Sequence, residues 1–84
     1  MTGVELIAQE RKEQIEKHKW DDKNNIAVRL ELAATFALTL DYSYYPEGWG
    51  MWWYEKMKTK SVEERIKIAG ALCAAALDKL NSEK

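Results

Sequence analysis

Eighty-four residues, a formal charge of −1 from 13 basic and 14 acidic side chains, and a single cysteine set the limits of this chain. That length makes one domain, residues 1–84, with a modest core. Cys73 alone excludes an intrachain disulfide, and one cysteine with one histidine, His18, is a poor donor set for structural zinc.

The charges are balanced and well mixed, so there is no electrostatic footprint for duplex nucleic acid or an anionic membrane. Residues 2–5 lack a basic segment leading into an apolar one. The longest apolar stretch, 26–40, is too short for a bilayer span and carries Arg29 and Glu31. The expectation is a cytoplasmic protein with no membrane contact. A chain this small, without disulfide or metal, gains stability by self-association, so a homo-oligomer is expected, with a dimer the favoured state.

Thr2 and Glu5 have the spacing of a capping box, which predicts a helix from Thr2 to His18. At 100° per residue, Val4, Ile7, Ala8 and Ile15 share a face with Arg11, Gln14 and His18, and Gln9, Lys12, Glu13 and Glu16 lie opposite. A polar connection follows over 19–25, where Asp22, Asn24 or Asn25 is placed to cap a second helix over 26–40. Apolar residues nearly encircle that helix, as expected of the central member of a bundle. Ile26, Leu30, Ala33, Ala37 and Leu40 form the seam of a close helix pair.

Residues 42–54 concentrate Tyr42, Tyr44, Tyr45, Trp49, Trp52, Trp53 and Tyr54 around the turn signal Pro46-Glu47-Gly48. A short helix is predicted over 49–58. Ser61 and Glu64 form a second capping box, opening the last helix. There Val62, Ile66, Ala69, Cys73, Ala76 and Leu80 follow a strict four-three spacing, which predicts the inner face. The fold class expected is all-α: a small bundle of three main helices, plus one short helix after an aromatic-rich loop.

The segments Glu10-Arg11-Lys12-Glu13-Gln14-Ile15-Glu16-Lys17, Trp20, Leu30-Glu31-Leu32-Ala33 and 69–80 resemble those of small phage and prophage proteins. Those proteins carry E-R-x-x-Q-I-x-K-x-G-W near the start and A-G-A-L-x-A-A-E-I-D-R-L near the end. The resemblance covers most of the chain outside the aromatic stretch. It implies a phage or mobile-element setting and no particular activity. Lys19 stands where the family has glycine, and the histidine-bearing acidic run after the tryptophan is reduced to Asp21-Asp22-Lys23-Asn24-Asn25. Ala76 replaces a glutamate; on the predicted inner face an acid there would be costly without a partner.

Three constellations are candidates for chemistry. The first is a carboxylate cluster for a divalent metal, as in the MazG-like all-α nucleotide pyrophosphohydrolases, which this chain resembles distantly. Those enzymes pair E-x-x-E on one helix with E-x-x-D on the next to hold magnesium against a triphosphate. Glu10-x-x-Glu13 and Glu13-x-x-Glu16 fit the first half and Glu31 begins the second, but Ala34 occupies the place of the aspartate. Glu10 and Glu31 are thus the candidate metal ligands of an incomplete set, and Asp78 is expected on a polar face near Lys67. The second constellation, Arg11, Gln14 and His18, reads as a polar pocket for a small ligand, or as structure, with Arg11 paired to Glu31.

The third is the aromatic stretch, followed by Lys56, Lys58 and Lys60. Tryptophans beside lysines can stack single-stranded bases, although aromatic clusters also seal cores and subunit interfaces. Trp49, Trp52, Trp53 and Tyr54 are assigned to an interface between copies. Cys73 is expected inside and inert. No catalytic residue and no cofactor emerge. The expected function is that of an interaction or accessory protein working through helix packing. The alternatives are a degenerate pyrophosphohydrolase-like protein and a single-strand or small-ligand binding module.

Overall fold

The computed structural model describes residues 1–18 and 27–82, with the backbone alone for 17 and 18. The expected connection over 19–25, Trp20, the start of the second helix at Ile26 and the side chain of His18 lie outside the described residues.

Among the described residues every regular element is helical. The first helix, α1, spans Gly3–His18. Its capping box closes as predicted: the Glu5 N–H donates to Thr2 Oγ1 at 3.2 Å and the Thr2 N–H to Glu5 Oε1 at 2.8 Å. Helix α2 spans Ala27–Thr39. It stops because Leu40 turns into the left-handed region, φ 57°, a conformation usually left to glycine. The Leu40 side chain packs against the core, which holds it there. Arg65 reaches over from the last helix and donates from Nη1 to the freed carbonyls of Ala37 at 3.1 Å and Leu38 at 3.4 Å.

A single 3-10 turn, Tyr42–Tyr44, follows, capped by Asp41, whose Oδ1 accepts from the Ser43 N–H at 3.0 Å. The Trp49 N–H then closes a turn on the Pro46 carbonyl at 3.3 Å, and Gly48 supplies the φ of +88° that this turn needs. Helix α3 spans Met51–Lys58 and helix α4 spans Val62–Ser82. Ser61 caps α4 as expected, accepting the Glu64 N–H at 3.2 Å.

The core lies between α2 and α4, and Trp53 and Met57 of α3 join it. Leu30, Ala33 and Ala37 of the predicted α2 seam are buried, and alanines on both helices allow close approach. Phe36 is fully buried among rings: Tyr45 meets it edge-on at 5.0 Å, Tyr54 lies at 5.5 Å and Trp53 at 5.8 Å. Truncating such a residue to alanine costs about 3–5 kcal/mol.

Three expectations are corrected. The hub is α4, which packs against both α2 and α1, whereas α2 was expected to be central. On α4 the buried stripe is Ile68, Ala69, Ala71, Leu72 and Ala75. The four-three seam faces largely outward, with Val62, Ile66 and Leu80 exposed and Cys73 exposed as well. On α1, Val4, Ala8 and Ile15 are exposed and the buried side chain is Gln14. In both helices the neighbour approaches beside the apolar stripe that the sequence displays most regularly.

Candidate interaction surface

The acidic candidates do not assemble. Glu10 and Glu13 line a small recess of about 80 Å³ with Leu6, Gln9 and Lys67, and Glu31 is exposed on α2 outside it. Ala34, which takes the place of the second acid, is buried in the core. Among the described residues no group of three or more His, Cys, Asp or Glu side chains is placed to hold a metal ion.

Arg11 and Gln14 do face inward together. Arg11 pairs with Asp78, Nη2 to Oδ2 at 3.5 Å, and this replaces both expected pairs, Arg11 with Glu31 and Asp78 with Lys67. The partner carboxylate is well exposed, so water screens most of that attraction. Gln14 donates from Nε2 to the Ile68 carbonyl at 3.3 Å. Its Oε1, and Nε and Nη1 of Arg11, are buried without a protein hydrogen-bond partner. Such groups carry a desolvation cost, so this contact holds α1 to α4 weakly for its size.

The four aromatic interface candidates separate. Trp53 is buried, while Trp49 and Tyr54 are half-buried and pack on the core, Trp49 meeting Trp53 edge-on at 5.0 Å. Lys58 sits over the Tyr54 ring at 5.1 Å. Trp52 alone is exposed, together with Tyr42, Tyr44 and Met51. The Tyr45 hydroxyl organises the cluster, donating to the Gly50 carbonyl and accepting the Tyr54 N–H at 3.1 Å. Burial raises the Tyr45 pKa above its ordinary 10.0, against the lowering effect of the Tyr54 N–H.

An uncovered apolar face also runs along α4. Val62, Ile66, Cys73, Leu77 and Leu80 are exposed along its length. At 100° per residue they fall within about 60° of one another, about 135° from the centre of the buried stripe, with the buried Ala69 between the two. The first turns of this face border a groove of about 340 Å³ between α1 and α4, lined by Leu6, Ile7, Val62 and Ile66 with Gly3, Glu63 and Lys67 at its rim. Its exposed lining is almost wholly apolar. The four-three repeat was the signal for this surface in the sequence. Leu77 and the groove wall on α1 were missed, because exposure depends on where α1 settles.

The chain is thus an all-α protein whose described surface presents an apolar helix face and no assembled polar centre. No family model, curated protein or solved structure matches it. Among the described residues, no helix is long and apolar enough to cross a membrane.

Proposed function

We propose that this is an interaction protein that works through helix packing, with the exposed face of α4 as its contact surface. The observation that carries the reading is the stripe Val62, Ile66, Cys73, Leu77 and Leu80, exposed on either side of a mid-helix stretch where Ala69 is buried and Ile7 lies against Gly70. Exposed apolar residues grouped on one face mark binding sites, whereas single exposed apolar residues do not. The likeness of residues 10–17 and 69–80 to phage and prophage proteins supports an accessory role of that type. Single-strand binding draws less support, since Trp53 is committed to the core and Trp52 alone of α3's two tryptophans offers a face.

The test is an apolar fluorescent dye, added at a dilution that keeps copies apart. Folded protein is expected to enhance its emission. Ile66→Glu and Leu77→Glu, both at exposed positions, are expected to remove most of that enhancement without changing the helical circular dichroism. Enhancement that is the same in both variants would sink the proposal.

A further inference from the structure

The α4 stripe reads nearly the same in both directions. Val62 and Leu80 lie equally far from a point between Ala71 and Leu72, to within a residue. So do Ile66 and Leu77. A twofold axis through that point, perpendicular to α4, lays the helix antiparallel on its own copy. Large residues then meet large residues toward the ends, and the exposed Cys73 comes near its own copy at the centre.

The ends match in shape as well. Under that axis Leu80 and Leu77 of each copy project onto the first turns of the other, where the groove walled by Leu6, Ile7, Val62 and Ile66 lies open. Leu77 is 61% exposed and Leu80 47% exposed. The chain thus carries both an apolar groove and the apolar side chains to fill it, at the two ends of one helix. The helix dipoles agree as well, since antiparallel pairing sets unlike helix ends together. A parallel pair would set like ends together and leave both grooves facing no leucine.

We infer that the occupant of this face is a second copy of the chain, bound antiparallel along α4 with its Leu77 and Leu80 in the α1–α4 groove. The inference rests on the interaction face proposed above and names its partner. It moves self-association from the tryptophans to α4. At 1.5 Å per residue the 21 residues of α4 extend about 32 Å. A stripe about 10 Å wide along that length is ~300 Å² per copy, below the ~800 Å² per partner of a standard interface. The two grooves add to it, and the dimer belongs among the smaller, weaker assemblies.

Light scattering across a concentration series is expected to take the mass from one chain to two. Leu77→Glu and Leu80→Glu are each expected to weaken association at least tenfold while circular dichroism stays helical. Orientation is read by spin labels. With axes about 9 Å apart, labels on Cys73 are expected near 10 Å, and labels on Ser82→Cys in a Cys73→Ser background near 30 Å. A Ser82→Cys separation near 10 Å means a parallel pair and overturns the inference, as does a dimer indifferent to Leu77→Glu. A chain that stays monomeric throughout also overturns it. If dye binding by that monomer still depends on Ile66, the interaction face stands with a foreign partner; if it does not, both readings fall.

Discussion

The Tyr45 hydroxyl occupies the place of a backbone bond. Gly50 precedes the first residue of α3, and its carbonyl would ordinarily accept the N–H of Tyr54, four residues on. Instead the phenol donates to that carbonyl and accepts that N–H, at 3.1 Å, so a side chain bridges the first turn of α3 beside a long 3.4 Å bond from the Trp53 N–H to the same carbonyl. Tyr45→Phe removes both bonds at about 1 kcal/mol each. The expected fall in melting temperature is about 8–16 °C, with the core ring contacts kept. A variant that melts with the parent would show that the helix closes equally well by itself. The pH dependence has a definite sign. A pKa raised in the folded state means that the neutral phenol is favoured by folding. That stability is fully present below pH 10 and is lost as pH rises through the folded-state value. The alkaline limb of the melting-temperature profile is therefore expected to flatten in Tyr45→Phe.

At the level of elements, α1 comes close to α4 at Gly70. A methyl group added there would lie 2.7 Å from Ile7 Cδ1 and 2.9 Å from Cγ1. Alanine is the better helix former by about 1 kcal/mol, but overpacking costs ~1–3 kcal/mol. Gly70→Ala is therefore expected to destabilise the parent, and to stabilise an Ile7→Ala background by about 1 kcal/mol. Chemical denaturation of the four proteins measures both, and the same sign in both backgrounds would discount the clash. The caps Thr2 and Ser61, the breaker at Pro46-Glu47-Gly48 and the α2 seam were legible in the sequence because each is a local arrangement. The phase of α4 was not. Ile68 and Leu72 make one apolar stripe and Val62, Ile66 and Leu80 another, and spacing alone does not say which one α2 meets. The tryptophans posed the same problem: Trp52 and Trp53 are neighbours, and a helix turns adjacent residues 100° apart. One is exposed and the other buried.

The whole molecule measures 35 × 34 × 20 Å. Its shortest extent is little more than half of the other two, so the fold is flattened. That flatness is why a chain with an ample supply of apolar residues leaves so many of them at its surface. Helix number, order and class were readable from the sequence; the flattening was not, because it depends on how α1 and α2 divide the sides of α4. That division also has a consequence in time. Among described side chains, the one fully buried member of α1 is Gln14, with an orphaned carbonyl oxygen, whereas α2 and α4 bury Leu30, Phe36, Ile68 and Leu72. A helix with so little apolar anchorage opens without waiting for the rest of the protein. Amide hydrogens inside α1 are expected to exchange with deuterium as a block, with protection about tenfold or more below that of the α2 and α4 interiors. Equal protection in all three helices would mean that α1 leaves only when the whole chain unfolds.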